Sequence, residues 1–402
     1  MDDLLFLAHR IPYPPRKGDK IRSYHLLMAL TSRYRVHLGA FVDDPEDHTH
    51  MTTLAGLCTG ETLLLKLNPW QARLRALRGL LTGSPLTLPY YDHPTMRTWV
   101  KELVNRHPIR RVVVYSAAVA QFVTDLDPAI LRVSDFVDVD SDKWALYAAG
   151  RQGFWRWLYQ REARTLLAAE RRLAAASATV FFVSPPEAAL FQRLAPELAG
   201  RIDYWENGVD LHYFSPDHPC PNPYPAGIKP LVFTGAMDYW PNVDAVTWFA
   251  KEVFARIADP EARLVIVGGR PVEAVVNLGQ QPGVMVIGNV PDVRPWIRWS
   301  VAAVAPLRIA RGVQNKVLEA MAMARPVLAT SFAMEGIRIE DQRLQRWVAD
   351  TPETLLAKAV ALLNGADATD PDNSCGVLGR QLVEKHYHWE RNLQRILSRI
   401  AE

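Results

Sequence analysis

Gly312-Val-Gln-Asn-Lys-Val-Leu-Glu-Ala-Met-Ala-Met-Ala-Arg-Pro-Val327 is the stretch whose reading decides the fold. Val313, Val317, Leu318 and Met321 recur at helical spacing, which predicts a short amphipathic helix. Apolar runs flank it, Val301–Pro306 before and Val327–Thr330 after. Short continuous apolar runs mark strands buried on both faces, as in parallel sheets. Gly312 stands just before the helix, so unpaired first-turn N–H groups face out beyond the strand ends. Such an end carries partial positive charge and suits a phosphate. Gln314, Asn315, Lys316 and Glu319 then sit on or near a helix opening at the carboxyl edge of a parallel sheet, where open α/β sheets take ligands. Spacing alone leaves a second reading equally open: a plain strand–helix–strand connection with a solvated polar face.

Working outward, the chain has 402 residues, long for one core and suited to two domains. Hydrophobic content of 49% and charged content of 22% are ordinary for a soluble globular protein. A net charge of +3 argues against bulk nucleic-acid binding, and no nucleic-acid partner is expected. The charge is uneven, with nine basic residues from Lys66 to Arg111 against Asp92 and Glu102. Cys58, Cys220 and Cys375 are odd in number and far apart, which fits a reducing cytosol and neither a disulfide framework nor a zinc site. The first residues lack the basic region and long apolar core of a signal peptide. No run of about 18 apolar residues predicts a membrane span. A cytoplasmic protein is expected.

Leu4–Ala8 reads as a first buried strand. His9–Arg22 follows, with three prolines and Gly18 that forbid helix, as a long loop at the strand's carboxyl end. Gly18 permits close backbone approach to a ligand, and Asp19 is placed to cap a helix from Lys20 to Leu30. Val36–Phe41 and Leu63–Leu67 are further strands, the latter towards a sheet edge. Gln71–Leu81 puts Leu74, Leu77 and Leu81 on one helical face and arginines on another. Such a helix either lies on an anionic membrane surface or packs on the sheet. Arg111–Tyr115 and Arg132–Val137 are two more strands. Asp138-Val-Asp-Ser-Asp-Lys-Trp144 after the second offers metal ligands or a carboxylate base, with Asp142 equally a helix cap. The glycine and distal glutamate of a calcium loop are missing. Phe154–Ala176 is a long helix expected to bury Trp155, Leu158, Leu166 and Leu173, with Trp155-Arg-Trp157 also readable as an interfacial anchor.

Asn207-Gly-Val-Asp210 is read as a tight turn closing the first domain. Six prolines between Pro216 and Pro230 suggest an interdomain linker. The expected division is thus 1–215, a linker at 216–230, and 231–385. Leu231–Thr234 opens a second α/β domain, and Gly235 marks a strand-to-loop turn where backbone can approach a diphosphate. Alternation of short apolar strands with helices predicts two doubly wound α/β domains.

The stretch Gly312–Val327, with Arg10–Arg22, Asp135–Trp144, Asn207–Asp210 and Gly235–Asn242, resembles family 4 retaining glycosyltransferases of GT-B fold. More narrowly it resembles the sugar transferases of PEP-CTERM/exosortase exopolysaccharide systems. The resemblance implies two Rossmann-like domains facing a central cleft, with residues 386–402 packing back on the first. It implies transfer of a sugar from a nucleotide-sugar donor to a glycan or lipid-linked glycan, with retention and with neither cofactor nor metal. Glu319 would hold the donor ribose. Gly18, Gly235, Arg308 and Lys316, with Gln314 and Asn315, would line the donor site. Arg311 stands where many relatives carry a glutamate near the donor sugar and is a third choice for the diphosphate. Lys20 and Arg22 would belong to the acceptor-side loop, and Asp138 or Asp140 would orient the acceptor hydroxyl or the sugar in flight. Lipid-linked acceptors would bring peripheral contact with an anionic inner membrane. Two other classes share these features: a sugar-nucleotide epimerase of the same fold, and a non-catalytic nucleotide-sugar-binding partner.

Overall fold

The computed structural model describes residues 1–15, 18–310, 312–367 and 374–402. The chain forms two units: Met1–Glu206 with Leu393–Glu402, and Asn207–Asn392.

The first unit is built on β1 (Asp3–Ala8), β2 (Arg35–Val42), β3 (Thr62–Lys66), β4 (Arg111–Tyr115), β5 (Leu131–Val137), β6 (Thr179–Phe182) and β7 (Ile202–Tyr204). Their sheet order is β3-β2-β1-β4-β5-β6-β7, and every pairing is parallel. Parallel strands need helical crossovers on the sheet faces, so a strand such as β1 buries both sides and reads as unbroken Leu-Leu-Phe-Leu-Ala. Chain direction across the sheet reverses between β1 and β4, which opens a crevice at their carboxyl ends. The last residues return to this unit. Arg395 pairs with Asp203 at 2.6 Å and lies 3.9 Å over the Tyr204 ring, and the Arg111 Nε donates to the Ile400 carbonyl at 2.8 Å.

The second unit carries β8 (Lys229–Thr234), β9 (Ala262–Val267), β10 (Val284–Gly288), β11 (Ala302–Ala305) and β12 (Val327–Ala329). The order is β10-β9-β8-β11-β12, again all parallel, with the reversal between β8 and β11. The helix Asn315–Ala322 follows β11 and buries Val317, Leu318 and Met321.

Several local expectations need correction. Val313 precedes the helix that begins at Asn315. The helix expected over Lys20–Leu30 runs Gly18–Thr31, so the loop before it ends by Gly18. The Asp19 cap concerns a side chain outside the described set. Asn207-Gly208 makes no tight turn. Asn207–Asp210 is irregular, with the Val209 N–H on the Tyr387 carbonyl at 2.9 Å. A Cβ on Gly208 would stand 2.5 Å from the Trp389 nitrogen, so close packing and not a turn demands the glycine. The Pro-rich stretch 216–230 lies within the second unit, held by buried Tyr224, whose hydroxyl donates to the Trp296 carbonyl at 2.5 Å. The helix Pro69–Thr82 packs through Ala72, Ala76 and Gly79 and leaves its leucines in solvent. On Gly153–Ala175, Leu166 and Leu173 are buried as expected, but Trp155 is exposed.

Candidate active site

In the first unit, the carboxyl ends of β4 and β5 are strained. Ser116 has φ 83° and Val137 has φ 72°, a costly conformation for residues with a Cβ and worst for a β-branched one. Something must hold them there. Asp135 accepts from the Val137 N–H at 3.2 Å, and its own carbonyl accepts from the Ser116 N–H at 2.7 Å. Asp135 is in turn fixed by Arg22, whose Nε and Nη2 donate to its two carboxylate oxygens at 2.8 and 3.1 Å. The Trp205 indole N–H adds a third donor at 3.0 Å, and the Arg22 guanidinium lies 3.4 Å from the Trp205 ring centroid. Burial pushes the Asp135 carboxyl upward, while Arg22, Trp205 and Val137 all oppose it. A carboxylate with that many donors is the charged half of a buried pair.

Arg22 therefore braces the edge from within and is fully buried. Lys20 is likewise buried and paired with Asp47. The resemblance assigned both to an acceptor-side loop; on the helix their side chains are buried instead. Gly18 is exposed at that helix start.

The turn that Val137 begins presents Asp138 and Asp140, both half-buried. Burial raises the Asp140 carboxyl, Lys143 at 3.9 Å opposes this, and neighbouring Asp138 adds to it. The following helix, Asp140–Ala149, is already capped. The Val139 N–H donates to Glu187 at 2.9 Å, and Ser141 gives its N–H and hydroxyl to Glu170 at 3.2 and 2.6 Å. Its N-terminus is thus filled by two buried glutamates and is no phosphate seat. Burial, with Asp140 beside it, pushes Glu170 up to about 8. Glu170 and Glu187 escaped sequence reasoning because they lie 29 and 48 residues from their partners on ordinary helical positions.

In the second unit, Gly235 follows β8 with φ 147°. A Cβ there would lie 2.9 Å from the Asn242 amide nitrogen and 3.0 Å from the Lys316 Nζ. Lys316 thus reaches from the post-β11 helix to the post-β8 turn, across the point where strand order reverses. Its Nζ donates to Asn242 Oδ1 at 2.7 Å and sits 4.0 Å over the Phe233 ring. Burial pulls Lys316 down to about 7, opposed by Glu319, and burial pushes Glu319 up to about 7, opposed by Lys316. A neighbouring anion would favour the charged form of Lys316 and the protonated form of Glu319.

Gly268 after β9 has φ 157°, and a Cβ there would meet the Gly235 carbonyl oxygen at 1.7 Å. Only glycine lets these two turns touch. Gly268 also donates to the Gly288 carbonyl at 2.8 Å, and Gly269 lies beside Asn289. Asn315 accepts from Asn207 at 3.0 Å, and Gln314 stands as the residue before the helix. Arg308 is engaged with Asp244 through Nε at 2.9 Å and through Nη2. Arg311 lies outside the described residues. Sequence reasoning missed Asn242 as the lysine's partner. It also missed Tyr213, which donates to Asp292 at 3.2 Å, lies 3.8 Å under the Arg294 guanidinium and is close enough to Glu319 to feel its charge.

Among the described residues one group has metal-ligand spacing: Asp3, His37 and His107. The Glu61 N–H donates to His37 Nδ1 at 3.0 Å, so the neutral ring carries its proton on Nε2, against Asp3 Oδ1 at 2.8 Å. That proton occupies the lone pair a metal would need. His107 is bonded to Glu61 at 2.7 Å. Burial lowers His37, with the Asp3 hydrogen bond opposing, which agrees with a neutral hydrogen-bonded ring.

Comparison with known proteins fits this geometry. Residues 229–365 match the family described as Glycosyl transferases group 1. No curated protein matches the chain in sequence. Among solved structures, sucrose-phosphate synthase from Thermosynechococcus elongatus superposes with a TM-score of 0.72 at 16% identity, covering 99% of this chain and 98% of that one. HepE from Anabaena in complex with UDP-glucose gives 0.65 at 14%, covering all of both chains. WaaG, a glycosyltransferase involved in lipopolysaccharide biosynthesis, gives 0.56 at 17%, covering 95% and 99%. These likenesses carry the fold, two Rossmann-like domains of GT-B type, while the family match falls on the Gly235, Lys316 and Glu319 region. Residues 229–365 match a group 1 glycosyltransferase domain, and the chain that carries them is a glycosyltransferase of GT-B fold.

Proposed function

We propose that the protein transfers a sugar, with retention, from a nucleotide-sugar to a glycan or lipid-linked glycan in exopolysaccharide biosynthesis. The observation that carries this is the Lys316 amine, held by Asn242 at 2.7 Å beside the Gly235 turn, with Glu319 less than one helical turn on. A diphosphate seated there restores full charge to Lys316 and receives the N–H groups that open the helix Asn315–Ala322. Glu319 then holds the ribose, and the base lies between Gly268–Arg270 and Gly288–Asp292. Gln314, Asn315 and Arg308 line the same edge, and Gly18 is proposed as a further donor-binding residue. HepE in complex with UDP-glucose lends support as a protein of the same fold.

The chemistry asked of the protein is stabilisation of charge on the departing diphosphate and alignment of the acceptor. Asp138 and Asp140 are the residues proposed to orient the acceptor hydroxyl. Asp140, raised by burial, is suited to share a proton with it. Neither metal nor cofactor is assigned a role. The enzyme would work in the cytoplasm at the inner membrane face.

The test is incubation with nucleotide-sugars and a glycolipid extract, following nucleoside diphosphate release and the anomeric proton of the product by NMR. Acceptor-dependent release with an α-to-α product is expected from an α-linked donor. Release of a free epimerised sugar without acceptor would instead assign a sugar-nucleotide epimerase, and no release at all a non-catalytic partner.

A further inference from the structure

The helix Gly153–Ala175 places two glutamates on its buried face. Glu162, Leu166, Glu170 and Leu173 follow helical spacing and share that face, and both acids are 1% exposed. A carboxyl taken out of water is costly unless it is hydrogen-bonded, so each acid has to hold something. Glu162 accepts from the Leu86 and Thr87 N–H groups at 2.7 and 3.0 Å and from the Thr87 hydroxyl at 2.8 Å, which fixes the start of the helix Thr87–Tyr91. Glu170, about two turns on, grips a different segment through Ser141, at the start of Asp140–Ala149. A third buried acid, Glu187 at the start of Pro185–Leu194, holds the Val139 N–H.

Burial alternates along the segment so gripped. Val139 and Ser141 are buried, while Asp138 and Asp140 are half-buried. The two inward residues are the ones the glutamates hold, so the two aspartates stand wherever that grip sets the backbone. The segment needs such a grip, because it starts from Val137 at φ 72°. With its carboxyl pushed up to about 8 by burial, Glu170 is the neutral acid near pH 7 and adds no second charge beside Asp140.

Given the acceptor role proposed for Asp138 and Asp140, we propose that Glu170 and Glu187 are positioning residues for sugar transfer, setting through Ser141 and Val139 where those aspartates meet the acceptor hydroxyl. Both glutamates act from beneath the segment, through backbone N–H groups and, for Glu170, the Ser141 hydroxyl. Their loss moves the turnover step, which depends on close alignment, and leaves the donor edge of the second unit as it was.

The test compares initial rates of nucleoside diphosphate release for wild type, Glu170→Ala, Glu170→Gln and Glu162→Ala. The acceptor is a glycolipid extract and the donor is the UDP-, GDP-, dTDP- or ADP-sugar that wild type uses. Glu162→Ala is the control: it removes an acid equally buried on the same helix, but one that holds residues 86 and 87. Glu170→Ala is expected to lower kcat about tenfold or more, with the donor KM within about twofold of wild type. Glu170→Gln keeps the shape and an acceptor for the Ser141 N–H, so it should recover most of that rate. Glu162→Ala should keep kcat within about twofold whatever its melting temperature. Should Glu170→Ala fail to fold, Ser141→Ala removes one of the two bonds and no buried acid; it is expected to lower kcat about threefold or more. Wild-type kcat in Glu170→Ala or Ser141→Ala, or an equal loss in Glu162→Ala, would overturn the positioning role. Asp138→Asn and Asp140→Asn separate the two failures. If wild type gives no release, or both aspartate variants retain its kcat, the acceptor role falls and the positioning with it. If either aspartate variant loses kcat while Glu170→Ala does not, the positioning alone falls.

Discussion

Arg22 and Asp135 have no solvent on either side chain, and each is the other's main partner. Removing one half of a buried pair strands the other charge, at a cost of about 3–5 kcal/mol. Arg22→Met is thus expected to lower unfolding free energy by about that amount in urea titration; a loss below about 1 kcal/mol would show that the pair does not brace the edge. Glu170 acts in the opposite sense with pH. Its carboxyl is pushed from 4.5 to about 8, so between those values the folded state keeps a proton that the unfolded state has lost. Stability from this residue is full below the unfolded value and falls as pH rises through the window. Glu170→Gln should flatten the slope of melting temperature against pH from about 5 to 8, and an unchanged slope would refute it. Neither residue's role was legible in sequence. Arg22 sits in a basic run resembling a ligand loop, and nothing in that run shows that the guanidinium turns towards a strand 113 residues away. For Lys316 and Glu319 local spacing made their place legible, on a helix after a strand, while their donor role was implied by the resemblance.

At the scale of elements, the post-β8 turn and the post-β11 helix are coupled through Lys316. Because the free amine titrates near 7, binding of a nucleoside diphosphate should take up a proton. Calorimetry of UDP or GDP binding in buffers of different ionisation enthalpy should show proton uptake at pH 7–8, with affinity falling by up to about tenfold per unit above that. Binding without proton uptake would remove Lys316 from the phosphate site. The Gly268 contact gives a structural counterpart: Gly268→Ala drives a methyl into the Gly235 carbonyl and should cost roughly 2 kcal/mol or more in thermal or urea unfolding. Tolerance of the alanine would mean the turns do not touch. Strand positions were readable from unbroken apolar runs, since strands buried on both faces have no alternation to misread. The helix Pro69–Thr82 was harder, because its packing face is built from Ala and Gly and its leucines point to solvent. Hydrophobic spacing cannot tell a core stripe from an unpartnered one.

Across the whole molecule, two parallel sheets each reverse strand order once; Gly235, Arg308 and Lys316 follow the two strands at the second reversal, whereas Lys20 and Arg22 are turned inward. The alternation of strands and helices made this architecture legible. The division at Glu206/Asn207 was not, because the Pro-rich stretch that looks like a linker is anchored by Tyr224 inside the second unit. The family match to residues 229–365 fixes the class of reaction, and the donor's place in the second unit is the claim on which the proposed mechanism depends. Its most direct test is a thermal-shift screen of UDP-, GDP-, dTDP- and ADP-sugars against wild type and Glu319→Ala. A ligand that binds only the folded state raises the melting temperature by mass action. One nucleotide should stabilise the wild type and do so far less in the variant. No stabilisation by any of them, or an equal shift in folded Glu319→Ala, would contradict donor binding at this edge.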